Sequence, residues 1–526
     1  MKKNVCYGWK LKGVLLAALL ALALPGAASA IDGSSITVTN NADSGAGSLR
    51  QAIADICDNG TITFDGDYTI TLASQLIIDK NLAIYGAGHT VTVSGNNSVR
   101  VFNISSGTVS LKGLTIINGK SSTTHGGGGI YNTGTLTVMN CSLSGNSSQQ
   151  DGGGIWTSGA LTVTGCSLSG NNAGANRSAG YGGGIYIDSG TVTVTVTDST
   201  FSGNSVHGLG SGICYNGEML TVTGCTFTDN LGAPGIENDY GGQTLTVTGC
   251  TFSNNNVAWD AIRSSYPSAT VTVTDSSFST TVGGTGISNM GTLTVTGCTF
   301  SGSERNGIQS AGNLTVTGCS FTGTNVLNGF CIRIYNYSYS PPTQATVTDC
   351  TFTGNSANTG DGGAILIDYY FDNTDPYTSP PQVTVAGCTF TGNSAPIGGG
   401  ISNRGGRLTV TNSTFTGNSA TSGSGGAIYT DGDLTVTGCT FSGNTASNWG
   451  GGICNYWDGQ MTVTGCTFSG NSASAGGGIY SNPVWFPAEV TNSTFFGNSA
   501  NAGGGIANAM DGQMTVTNST FFGNSA

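Results

Sequence analysis

Charge is scarce in this chain. Only 8% of its 526 residues are Asp, Glu, Lys or Arg, and 27 acids face 15 bases. Phosphate recognition needs clustered Lys and Arg, so this balance excludes a nucleic-acid partner. Histidine occurs three times, as His89, His125 and His207, in distant segments. No CxxC pair or Cys/His group has the spacing of zinc ligands. No GxSxG marks a nucleophile elbow. Gly119-Lys120-Ser121 imitates the end of a phosphate loop, but Leu114 stands where its first glycine belongs. Beyond the first thirty residues no stretch approaches the roughly eighteen apolar residues of a spanning helix, so the visible mature chain has no transmembrane segment.

What is present begins with an address. Lys2, Lys3, Lys10 and Lys12 precede the apolar stretch Val14 to Leu24 and the small residues Ala28-Ser29-Ala30, the pattern of a secretory signal peptide over residues 1–30. Its removal takes four of the fifteen bases and none of the 27 acids, so the net charge of −12 becomes −16. The 87 glycines and low charge would suit a disordered chain. Strict apolar alternation within each repeat argues the reverse, because a disordered segment has no core to face.

The repeat dominates residues 108–526. Runs such as LTVTGCTF recur with a cysteine at one place: Cys141, Cys166, Cys225, Cys250, Cys298, Cys319, Cys350, Cys388, Cys439 and Cys466, with Ser199, Ser276, Ser413, Ser493 and Ser519 in the remaining copies. Within Gly425 to Ser447, Ile428 marks a first short strand. Leu434 and Val436 alternate with threonine in a second, and Cys439 and Phe441 resume the alternation after a phase slip at Gly438. Asn444 follows Phe441 by three residues, an FxxN spacing repeated along the chain, and is expected to close the coil in a left-handed turn while bonding its stacked neighbour. Three strands and three corners per repeat define an all-β fold, a right-handed parallel β-helix of about fifteen coils.

Stacked cysteines would sit about 4.8 Å apart, slightly beyond disulfide reach, and serine shares their slot. Buried thiols acting as small hydrophobes are therefore expected, with rung-to-rung bridges as the alternative. Residues 31–107 read as an N-terminal cap and first irregular coils. Ser48 and Gln51 have capping-box spacing, and Leu49, Ala52, Ile53 and Ile56 share one face of a short helix that would lid the core. The chain stops at Phe521-Phe522-Gly523-Asn524-Ser525-Ala526 with the next coil due. A longer product, or a covering segment or partner, is expected there.

GGAI at Gly362–Ile365 and Gly425–Ile428, together with the FxxN pairs, resembles the repeat of chlamydial polymorphic outer-membrane proteins. ADSGAGSLRQAI, Ala42 to Ile53, resembles the region before β-helix repeats in many bacterial surface proteins. The resemblance implies a surface-displayed passenger carried by a C-terminal autotransporter barrel and acting in adhesion.

Chemistry is hard to find in the regular strands, which offer Thr, Ser, Asn and Gly. Asp431, Asp433, Asp458 and Asp511 stand beside glycine and read as turn-formers. The loops between first and second strands depart from this rule. Ile428 precedes Val436 by eight residues, whereas Ile332 precedes Val347 by fifteen and Ile365 precedes Val385 by twenty. One insertion carries Tyr335, Tyr337 and Tyr339; the next carries Asp368, Tyr369, Tyr370, Phe371, Asp372, Asp375 and Tyr377; a smaller one, Pro483 to Pro487, leaves the same corner. Rings and acids at adjacent places suit a glycan, a host or cell-surface protein, or a Ca²⁺ ion, though no cofactor is required; alternatively the rings fold down onto the rod. The expected function is an exported, non-catalytic rod, adhesive or structural. The alternatives are a polysaccharide-active β-helix enzyme, needing at least three carboxylates and a base in one groove, and a self-associating matrix or surface-layer component.

Overall fold

The computed structural model of the chain describes residues 35–526, apart from 123–124, 176–179, 189–190, 240, 256–259, 280–283, 303–306, 324, 327–329, 337–342, 370–378, 458, 483–485 and 510–511. The expected signal peptide lies outside the described residues.

Three short strands recur coil after coil. Ile428–Thr430, Leu434–Thr437 and Thr440–Ser442 pair in parallel with Ile453–Tyr456, Met461–Thr464 and Thr467–Ser469 one coil later. Like lies beside like: Ile428 beside Ile453, Val436 beside Val463, Phe441 beside Phe468. The sheet containing Phe441 runs unbroken from Tyr68–Thr71 to Thr520–Phe522. The result is a right-handed parallel β-helix of about seventeen coils, a rod about 80 Å long at the usual strand spacing. The expected fifteen was too few because strands assigned to the cap, such as Leu76–Ile78 and Phe102–Ile104, already stack in register beneath Ile130–Asn132.

Corner chemistry follows from backbone sterics. The slip before each cysteine slot needs a left-handed residue: Gly438 has φ +64° and Asn412, at the same place one coil earlier, φ +47°. At the FxxN corner the left-handed residue is Gly443, φ +61°, rather than Asn444 as expected. Glycine takes the strained backbone, which frees Asn444 to turn inward. There its Oδ1 accepts from the Asn418 backbone and side-chain N–H groups at 2.9 and 3.0 Å, and its Nδ2 donates to Phe415 O at 3.0 Å and Asn471 Oδ1 at 2.9 Å. Every hydrogen-bonding site of this fully buried amide is used.

One continuous apolar core extends from Val38 to Phe495. From Phe201 to Phe521 its phenyl rings stack face to face, with centroids 4.5–5.0 Å apart. Burying each ring contributes about 1.5–3 kcal/mol. The cysteine slot faces inward too. Cys439 N donates to Cys466 Sγ at 3.4 Å and Cys439 Sγ to Thr437 O at 3.4 Å; in the serine copies Cys388 N donates to Ser413 Oγ at 3.1 Å and Ser413 Oγ to Thr411 O at 2.9 Å. Both side chains accept from the preceding coil and donate locally, which is why they interchange. The ladder cysteines are buried thiols without disulfides.

At the N-terminal end the helix Leu49–Asp55 buries Leu49, Ala52 and Ile53 on the core. Ser48 Oγ accepts from Gln51 N at 3.2 Å, one half of a capping box; the Ser48 N–H turns instead to Gly45 O at 3.2 Å.

Candidate functional site

The sheet led by the isoleucines has an outer face unlike the others. Threonine fills the outward positions of the second sheet, with Thr435 between Thr409 and Thr462. On the Ile-led sheet the residue after each Ile is often an aromatic or a charge, and these side chains form clusters apart from the core.

The richest part is a cleft of about 540 Å³ lined by Phe330, Asp361, Leu366, Asp368, Tyr369, Arg404 and Asp431. In-register stacking assembles it. Tyr335, Asp368 and Arg404 end strands of three successive coils, Tyr335 paired with Asp368 and Asp368 with Arg404. Arg333 reaches across one coil to the Asp368 carboxylate, and its guanidinium lies 4.9 Å from the Tyr335 ring centre and 5.8 Å from that of Phe330. Arg404 donates Nε and Nη2 to Asp361 Oδ2 at 2.9 and 2.6 Å, reaches Asp431 at 3.4 Å, and covers the Tyr429 ring at 4.7 Å. Tyr369 N donates to Arg404 O at 3.0 Å, and its ring occupies space beside Gly405, where an added Cβ would sit 3.1 Å from the ring.

The electrostatics are those of a filled network. Burial opposes the Arg404 charge, but Asp361, Tyr429 and Asp431 more than offset it, and the guanidinium pKa rises. Burial raises the Asp431 carboxyl, against the pull of Arg404 and of the Gly405 N–H at 2.6 Å. Arg404, Asp361, Arg333 and Asp368 keep about a third of their side-chain surface exposed, within reach of a ligand.

Of the residues singled out in the sequence, the structure brings together Tyr335, Asp368 and Tyr369. Tyr337, Tyr339, Tyr370, Phe371, Asp372, Asp375 and Tyr377 lie outside the described residues. Asp431, expected only to form a turn, accepts from the Gly405 N–H of the preceding coil and faces Arg404. Trp156 and Tyr429, strand residues outside those insertions, are 5% and 6% exposed. The reading by loops missed Arg333, Asp361 and Arg404, which lie in or beside regular strands. Only alignment of successive coils, with Tyr335, Asp368 and Arg404 each three residues after an Ile, exposes them.

A second group was also missed. Glu237 is fully buried; Arg263 on the next coil places Nε 3.8 Å from its Oε1, and Oε2 has no hydrogen-bond partner. Burial, with Asp239 and Asp260 adding like charge against Arg263, pushes its carboxyl up to about 8. Asp151, nearer the N-terminus, is pushed up to about 6, chiefly by burial. Among the described residues no group of three or more His, Cys, Asp or Glu is placed to hold a metal ion, and no helix is long and apolar enough to cross a membrane.

Stacked like residues, left-handed corners and a single tubular core define the class, and comparison with known families agrees. The model of the right handed beta helix region matches residues 211–375 and 377–526, and the chain belongs to that family. Residues 140–158 match the Chlamydia polymorphic membrane protein repeat. No curated protein matches the chain. Similar solved structures include a mannuronan C-5 epimerase A-module of Azotobacter vinelandii, 12% identical over 90% of this chain and 94% of that one, TM-score 0.31. A tailspike protein mutant of E. coli bacteriophage HK620 in complex with pentasaccharide is 13% identical over 88% and 72%, TM-score 0.30. The catalytic unit of a thermostable alpha-1,3-glucanase from Streptomyces thermodiastaticus is 14% identical over 94% and 71%, TM-score 0.22.

Proposed function

We propose that this chain is an exported, surface-exposed β-helical rod that binds glycans without catalysing their turnover, in the manner of an adhesin, and that the cleft around Arg404 is a contact site. The observation that carries this reading is the pairing of Arg333 and Arg404 with Asp368 and Asp361 beside the partly exposed rings of Tyr335 and Tyr369. Arg404 and Arg333 hold fixed charge and direct hydrogen bonds, but a guanidinium in such pairs releases no proton near neutral pH. Ring faces and oriented polar groups suit a sugar's apolar face and hydroxyls. The polymorphic-protein repeat at residues 140–158 supports surface exposure.

Glycan-array binding tests the reading. The chain from residue 31 should bind at least one glycan class, and Tyr369→Ala or Asp361→Ala should weaken that binding by about tenfold, on the order of 1.4 kcal/mol. Array-wide absence of binding, or variants equal to the parent, would sink it.

A second reading, a polysaccharide-active enzyme, is favoured by Asp151, which is partly exposed and whose carboxyl burial pushes up to about 6, in the range of a general acid. Reducing-end release from neutral and uronate polysaccharides, lost in Asp151→Asn, would establish it instead.

A further inference from the structure

Trp457 combines three features that folding alone does not require. It is 59% exposed, the most exposed large apolar side chain among the described residues. Its φ is +74°, the one aromatic residue among them with a left-handed backbone. Its place in the coil is that of Gly405 two coils earlier, whose φ is +75°. Glycine occupies this conformation without Cβ strain, whereas a bulky residue is strained there. A buried indole could offset the strain through lost water contact; an exposed one does not.

The neighbourhood holds the indole in place. Tyr456 meets the Trp457 ring at 5.6 Å and 87°. Tyr456 in turn stacks on Trp449 at 5.4 Å and 14°, and Trp449 on Tyr480 at 5.2 Å and 12°. Tyr480 is buried beside Cys454 and Tyr429. Trp457 is thus fixed at the end of a ring stack anchored in the rod. Phe486, 50% exposed, lies in the connection to the paired strand on the next coil: Trp457 stands four residues before Met461 and Phe486 two before Ala488, and Met461 pairs with Ala488. The described charges bordering this turn are Asp433, which accepts from Gln460 N at 3.2 Å, Arg407, 3.6 Å from Asp433, and the exposed Glu489, paired with Thr462. Among the described residues these groups carry no basic excess, so they do not favour an anionic ligand.

We propose that Trp457, with Phe486 on the next coil, is a stacking platform for the apolar face of an uncharged pyranose, separate from the Arg404 cleft. The axial C–H groups of a sugar ring carry slight positive charge, and the face of an indole is negative, so the two surfaces attract while excluding water. The strain at Trp457 is then accounted for by binding rather than by folding.

The test uses the chain from residue 31 and a panel of neutral hexasaccharides with gluco, manno, galacto and xylo configurations, beside uronate hexasaccharides. Acrylamide quenching of tryptophan fluorescence reads protection of Trp457, taken as the difference between the parent and Trp457→Gly. At least one neutral sugar should protect it. Trp457→Gly should bind that sugar at least tenfold more weakly, with an unchanged or higher unfolding midpoint because glycine suits the backbone. Trp457→Phe should stay within a few-fold of the parent, and Arg404→Ala should leave protection at Trp457 intact. Absence of protection by every neutral sugar, preferential protection by uronates, undiminished binding by Trp457→Gly, or a lower midpoint in that variant would each overturn the proposal. Loss of protection in Arg404→Ala would overturn its independence from the cleft.

Discussion

Glu237 has an ordinary pKa of 4.5 and a folded value of about 8. Between those values the folded protein holds a proton that the unfolded chain releases. Stability therefore falls as pH rises from 4.5 and is lowest once pH passes 8. Glu237→Gln removes this slope. The variant should unfold at a higher temperature than the parent at pH 8.5, by an effect of up to about 5 kcal/mol, and at nearly the same temperature at pH 4.5. Melting curves at both pH values check this; parallel curves with no pH-dependent gap would refute it. Nothing in the local sequence Gly235-Ile236-Glu237-Asn238 marks the residue. Its character comes first from burial, then from Arg263, which opposes the shift, and from Asp239 and Asp260, which add to it; burial and the placing of Arg263 depend on a register that has to be known first. The Arg404 network was hidden for the same reason, whereas Asp368 and Tyr369 stood out because their loop breaks the repeat.

The ladders behave as cooperative elements. Asn418→Ala takes the acceptor from both the Asn393 backbone N–H and its Nδ2, and the donor from Phe390 O, in a fully buried place. A loss of about 2–5 kcal/mol is expected, seen as a lowered unfolding midpoint. The cysteine slot should be more forgiving toward the right partner. Cys439→Ser reproduces the bonds of Ser413 and should cost under about 1 kcal/mol, while Cys439→Val leaves the Ser413 N–H, now bonded to Cys439 Sγ at 3.4 Å, without an acceptor and should cost about 1–3 kcal/mol. Equal midpoints for the two variants would contradict the hydrogen-bonding account of the slot. These elements were legible because side-chain alternation with period two is written directly into LTVTGCTF. The corner was only half legible: FxxN showed which residue faces inward, while the backbone strain resides one position earlier, in a glycine too common here to be informative. The early coils were obscured because Leu76 and Phe102 stack in register with Ile130 without sharing the glycine-led sequence of the later copies.

At the scale of the molecule each coil touches little beyond the coil before and the coil after, so stability is a sum of neighbouring interfaces. Asp198 and Gly224 occupy equivalent left-handed corners, φ +48° and +62°. Excision of residues 199–224 should therefore close cleanly and give a folded rod about 5 Å shorter by small-angle scattering. Excision of half that length should break the columns at the junction and lower the unfolding midpoint. The inward thiols carry a further implication for how the chain reaches this state. In a compartment that oxidises cysteine, a wholly unfolded chain would expose all its sulfurs to random cross-linking. Winding that starts at the helical end and lays one coil upon the last would withdraw each sulfur from oxidant as it arrives, so the order of winding protects the product as much as its final shape does.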